Sequence, residues 1–150
     1  MKISVIGLGK AGLPLAAVIA DSGIEVVGVD VDKKRVQEIN KGINPIKEET
    51  GLGDLIKKHG GRALTATSDY NKAAKECNVF IVIVPLFIDS SHKPDFSILK
   101  TAFENISKGL KNTAVSRIKF GVYIHRWTKS EEAAQTARIQ SNKPKNYNGL

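Results

Sequence analysis

The chain opens KISVIGLGKAGLPLAAVIA, with Gly7, Gly9 and Gly12 set between a short apolar run and a longer one. Residues 3–6 suit a strand, and residues 13–20 carry apolar side chains around most of a helix. A strand that turns into a helix through G-x-G-x-x-G has few ways to fold. Gly7 allows a sharp turn out of the strand, Gly9 leaves the backbone bare for a close ligand, and Gly12 lets the helix sit close to the sheet. The helix start then offers N–H groups and the positive end of its dipole, which suits a pyrophosphate. Pro14 falls in the first turn, where a missing N–H costs nothing. No Gly-Lys-Ser/Thr follows, so this is not a Walker loop.

A second strand, EVVGVD at 25–30, ends in Asp30, 18 residues past Gly12. An acid at that place can take the hydroxyls of an adenosine ribose. Its charge repels a 2′-phosphate, which favours NAD over NADP, while Lys34 and Arg35 pull the other way. Asp30 as a plain strand end is the competing reading, and strand, loop, helix and spacing together outweigh it. The Lys10 side chain is expected to face solvent, with only its backbone near the phosphates.

The alternation continues down the chain. Asp32 can cap a helix that carries Val36 and Ile39 and stops at Lys41 and Gly42. Residues 55–59 predict one or two helical turns, and 63–67 a strand. Ser68 or Asp69 can cap a helix through Glu76. The run NVFIVIVP at 78–85 is continuous and β-branched, as in a parallel strand covered on both faces. Residues 86–95 read as a loop. Asp95 or Ser97 can cap a helix with Leu99, Ala102, Phe103, Ile106 and Leu110 on one face. The fold class predicted is α/β: a Rossmann-type, doubly wound, mostly parallel sheet with helices on both faces. After Ala114 the pattern weakens to a strand-like stretch at 114–127, a helix from Ser130 and a frayed end.

Composition narrows the function classes. The longest apolar run, 79–88, is far short of the roughly 20 residues of a membrane span. The first residues lack the apolar core and cleavage site of a signal peptide, so no membrane and a cytoplasmic location are expected. Cys77 is the single cysteine and reads as a small structural residue rather than a catalytic thiol. Net charge is +3 over residues 1–115 and +5 over 116–150. The basic residues of the last segment are scattered among aromatics that form no stacking pattern, which fits a solvated tail and no nucleic-acid partner. His59, His92 and His125 sit in polar contexts and read as surface residues, and no metal-ligand spacing occurs.

Longer stretches carry a resemblance. GLGKAGLPLA, VVGVDVDKKRVQEINKGINPIKEE, GLGDLI, TATSDYNKAAKECNVFIVIVP and PDFSILKTAFENISKGLK resemble the N-terminal NAD-binding domain of UDP-sugar 6-dehydrogenases, over about residues 1–114. These enzymes oxidise UDP-glucose or UDP-N-acetylmannosamine to the uronic acid. The resemblance implies that the backbone of Gly7, Leu8, Gly9, Lys10, Ala11 and Gly12 holds the NAD pyrophosphate. It places Asp30 and Arg35 at the adenosine ribose, and Val84, Pro85 and Leu86 near the nicotinamide ribose.

The chain departs from the family at two places. Leu86 stands where the family usually has threonine. Past Ala114 the family's Glu-Ser/Thr-Thr segment and Pro-Gly-Thr-Thr turn are not readable, and its central helix, catalytic lysine and cysteine, and second nucleotide-binding domain are missing. The expectation is an NAD-binding domain at 1–114 and an atypical basic tail at 115–150, left by truncation or a frame shift. NAD binding without catalysis follows, with no catalytic residue assigned and a UDP-sugar as the other ligand. An open sheet edge leaves a homo-oligomer as a further expectation. Two other classes share the glycine loop and the late aspartate: nucleotide-sensing regulatory modules and the cofactor domains of other two-domain dehydrogenases. INPIKEE and PDFSILK favour the first reading over both.

Overall fold

A computed structural model of the chain describes residues 1–88, 93–110 and 119–122. Its strands are β1 (Lys2–Ile6), β2 (Glu25–Val29), β3 (Leu64–Thr67), β4 (Val79–Val82), β5 (Phe87–Ile88), β6 (Pro94–Asp95) and β7 (Lys119–Val122). Its helices are α1 (Gly12–Asp21), α2 (Lys33–Asn40), α3 (Leu52–His59), α4 (Tyr70–Glu76) and α5 (Ser97–Gly109). Five strands form one sheet in the order β3-β2-β1-β4-β7, and every pairing in it is parallel.

Period-two alternation sends successive side chains to opposite faces, and each face finds its own helices. Val5, Val26, Leu64 and Ala66 pack with Leu13, Ala16, Ala17 and Ala20 of α1, Ile39 of α2, and Leu52 and Ile56 of α3. Ile6, Val27, Val29, Phe80 and Val82 pack with Ala73 of α4 and with Ala102 and Ile106 of α5. The sheet is therefore doubly wound, as the sequence pattern predicts.

Short acidic side chains lie at the starts of α2, α4 and α5. Asp32 accepts from the N–H groups of Lys34 at 2.9 Å and Arg35 at 3.1 Å, and so caps α2. Asp69 accepts from Asn71 N–H at 2.8 Å ahead of α4, and Asp95 from Ser97 N–H at 2.8 Å ahead of α5. These carboxylates satisfy N–H groups that the helix itself leaves orphaned.

The structure corrects two expectations. Residues 86–95 are not all loop: β5 and β6 form an antiparallel pair, too short to leave an alternation in the sequence. α3 starts a turn before residue 55. α1 packs on the sheet, as its pattern predicts, through Leu13, Ala16, Ala17 and Ala20, and leaves Leu15 and Val18 37% and 57% exposed on its other side.

The β3 edge of the sheet is closed by side chains and turns. Asn40 Nδ2 donates to Ala66 O at 2.8 Å, and Ala66 N–H donates to Asn40 Oδ1 at 2.8 Å. Gly61 N–H takes the Leu64 carbonyl at 2.9 Å.

Candidate functional site

Strand order reverses between β1 and β4. The chain leaves β1 toward β2 on one side and leaves β4 toward β7 on the other. A crevice opens outside the carboxyl ends of strands at such a point. Here it is a cleft of about 550 Å³.

The glycine loop forms one lip of the cleft, and each glycine answers a different demand. Gly7 has φ +93°, and a Cβ there would run into the carbonyl oxygen of Ile83. A Cβ on Gly12 would meet the carbonyl oxygen of Gly7, so that glycine sets how closely α1 approaches the loop. A Cβ on Gly9 would meet nothing within 4 Å. Among the described residues, nothing requires a bare backbone at Gly9, and space is open beside it.

No side chain caps α1, in contrast to α2 and α4. Its N-cap is Ala11, and Leu13 N–H bonds back to Gly9 O at 3.0 Å. The first turn thus presents backbone donors and the positive dipole end to the cleft, with no protein carboxylate on them.

Asp30 sits just past the tip of β2, nearly buried at 7% exposure. Its Oδ2 accepts from Leu8 N–H at 2.8 Å and its Oδ1 from Asp32 N–H at 2.9 Å. Arg35 Nη1 lies 3.2 Å from Oδ1 and 3.1 Å from Oδ2. These contacts occupy the roughly four lone-pair sites a carboxylate has. The Leu8 side chain fills the hollow above Gly28, where a Cβ would lie 2.7 Å from its methyl groups. Asp30 thereby ties the glycine loop to β2 through Leu8 while its outer face meets the cleft.

Charges around the lip are set by these contacts. The N–H of Arg35, and then that of Lys34, hold the Asp32 carboxyl below its ordinary range. Burial pushes the Tyr70 phenol up, and the charge of Asp30 pushes it further.

Of the residues proposed from sequence, Gly7, Gly9, Lys10, Ala11, Gly12, Asp30, Arg35, Val84 and Pro85 line the cleft. Leu8 and Leu86 do not. Leu8 is fully buried with its N–H committed to Asp30, and Leu86 is half-buried outside the lining. Val29, Val31, Tyr70, Ile83 and Ile98 line it without having been singled out. All of these but Ile98 lie at or just beyond the carboxyl ends of β2, β3 and β4, the one signal that could have found them.

The remaining candidates lie elsewhere. Cys77 is buried under α4 and α5, where burial pushes its thiol up to about 12. His59 is no free surface residue: its side chain is 14% exposed and its Nε2 lies 2.8 Å from Asp21 Oδ1. His92 and His125 fall outside the described residues. Among the described residues, no group of three or more His, Cys, Asp or Glu could hold a metal ion. No helix among them is long and apolar enough to cross a membrane.

Residues 1–147 match the UDP-glucose/GDP-mannose dehydrogenase family, NAD binding domain. The match runs past residue 114, where the quoted motifs end. Relatives include the UDP-N-acetyl-D-mannosamine dehydrogenase of Methanococcus maripaludis, 41% identical over 115 residues, covering 74% of this chain and 26% of the relative. The UDP-N-acetyl-D-glucosamine 6-dehydrogenase of Salmonella typhi is 37% identical over 123 residues, covering 82% and 28%. The solved UDP-N-acetyl-mannosamine dehydrogenase of S. aureus superposes with a TM-score of 0.71 at 25% identity, covering 84% of this chain and 29% of that one. The chain spans about a quarter of the length of these relatives.

Proposed function

The chain belongs to the UDP-glucose/GDP-mannose dehydrogenase family, as its NAD-binding domain, and we propose that the cleft beside the glycine loop is where it holds NAD. The first turn of α1 and the backbone of Gly9, Lys10, Ala11 and Gly12 take the pyrophosphate. Asp30 takes the adenosine ribose, with Arg35 beside it, and Val84 and Pro85 lie along the nicotinamide ribose. The observation that carries this reading is the empty space at Gly9 under an uncapped helix start. A phosphate fits there, and no internal packing needs that space.

Since Asp30 has no spare lone pair, a ribose diol must take the place of the Arg35 guanidinium on its outer face. A 2′-phosphate would bring a further negative charge to a nearly buried carboxylate, so NAD should bind at least tenfold more tightly than NADP.

NAD bound here supplies a hydride acceptor. In the reaction of the UDP-sugar dehydrogenase relatives, that acceptor serves oxidation of a UDP-hexose or UDP-N-acetylhexosamine to the uronic acid. A four-electron oxidation of a primary alcohol also calls for a base and a thiol. Among the described residues no cysteine or histidine lines the cleft: Cys77 is buried in the core and protonated, and His59 is paired with Asp21. The chain is thus proposed as the cofactor-holding part of that activity, residues 1–114 forming the domain and 115–150 a basic tail whose residues 119–122 add β7.

Calorimetry with NAD and NADP, followed by turnover assays with UDP-glucose and UDP-N-acetylmannosamine, tests this. Binding of NAD, preference over NADP and no turnover are expected. Absence of any heat with NAD or NADH overturns the cofactor site. Turnover by this chain alone overturns the division of labour.

A further inference from the structure

Beside Asp30, the cleft lining includes Val31 and Tyr70. Val31 stands at the outer rim, 80% exposed. The same lining carries Tyr70, the first residue of α4, and Ile98 in the first turn of α5. Resting on the proposed NAD site, the order along the cleft is phosphates at the glycine loop, ribose at Asp30, and then a flat base in this last section.

Tyr70 is placed there by local chemistry. Asp69 caps α4 through Asn71 N–H, which fixes the helix start just beyond the end of β3. The ring packs against the core cluster of Val29, Phe80 and Ala73, as Val84 and Leu99 do. The ring is thus half-buried and held, with part of its surface on the cleft. Its hydroxyl has no part in capping α4, which Asp69 supplies. Burial and the nearby Asp30 charge keep that hydroxyl protonated at neutral pH.

We propose that Tyr70 is the base-recognition residue of this cleft, packing its ring against the adenine while no side chain reads the base's hydrogen-bonding edge. The polar side chains on the lining, Lys10, Asp30 and Arg35, belong to the phosphate and ribose sections. Val31 and Ile98 can offer only apolar contact. Recognition then depends on flatness and area, and a hypoxanthine base serves as well as adenine. Ring-on-base packing is worth roughly five- to tenfold or more in affinity.

The test is calorimetry on the whole chain with NAD and with nicotinamide hypoxanthine dinucleotide, using wild type, Tyr70→Phe, Tyr70→Trp and Tyr70→Leu, with melting curves for each. The Phe and Trp variants are expected within about threefold of wild type for both ligands, and the Leu variant about tenfold weaker for both. Hypoxanthine dinucleotide should bind wild type within fivefold of NAD. Rescue by any flat ring separates base packing from a merely structural role, since Leu fills the core side of the site nearly as well. If Tyr70→Leu folds poorly, Tyr70→Met makes the same comparison. Wild-type affinity in the aliphatic variant, or a loss beyond fivefold with hypoxanthine, overturns the proposal while leaving the NAD site intact. No binding of NAD by wild type overturns the site itself.

Discussion

At Gly9 and Gly12 the fold and the proposed function can be pulled apart. Ala at position 12 would gain up to about 1 kcal/mol of helix propensity, but its Cβ meets the Gly7 carbonyl oxygen. Backbone must shift, and overpacking of that kind costs about 1–3 kcal/mol, so the clash wins. Gly12→Ala should lower the urea midpoint. Gly9→Ala should leave it within about 0.5 kcal/mol of wild type, because its Cβ meets nothing. It should nonetheless weaken NAD at least tenfold, about 1.4 kcal/mol, by occupying the phosphate's space. Unchanged NAD affinity in Gly9→Ala would remove the main support for the site. Cys77 gives a second residue-level check. With its thiol up at about 12, only about one molecule in ten thousand is thiolate at pH 8. A thiol reagent should label it only as fast as the chain opens, and NAD should slow labelling only by stabilising the fold. Rapid labelling of the folded chain would contradict its placement in the core. Gly7, Gly9, Gly12 and Asp30 were legible because a turn, a bare backbone and a strand-tip acid each leave a residue-type signature. Tyr70 was not, because what puts it in the cleft is the pairing of β3 with β2, and no local pattern records that.

Elements were legible where a local signal marks them. Asp32 and Asp69 announced α2 and α4 as capping residues, and the β-branched run announced β4. β5 and β6 left no such mark, having two residues each, while β7 lies within the strand-like stretch at 114–127, its bounds selected by pairing with β4. The edge strand β3 is the most instructive element. Its unpaired side would invite another strand, but the Asn40 amide occupies both the N–H and the carbonyl of Ala66. Asn40→Ala should cost roughly 1–3 kcal/mol through two lost hydrogen bonds and leave the edge open. Urea titration should show the loss, and light scattering at rising concentration should show new association. A variant that keeps both the wild-type midpoint and the wild-type mass would mean that water replaces the amide at no cost.

For the molecule as a whole, the carboxylates with displaced titration act in one direction. Lys58 first, and then His59, hold Asp21 below its ordinary range, joining the end of α1 to the end of α3. Asp32 is held down by the α2 N–H groups and Asp95 by Ser97 ahead of α5. In each case the folded state binds its proton less readily than the unfolded chain. The stability these groups contribute is therefore complete above the ordinary carboxylate value of about 4 and is lost as pH falls through the lowered folded values. Melting temperature should hold from pH 7 to about 5 and fall steeply below about 4. All three groups are exposed, so the Asp21 share should also fade in high salt, whereas the two caps, bonded to backbone N–H, should resist salt better. Asp21→Asn should accordingly flatten the acid limb at low salt and leave it unchanged at 1 M salt. Should Asp21→Asn track wild type through the acid limb at low salt, the link between α1 and α3 would be contributing nothing, and the acid sensitivity would belong to the caps alone.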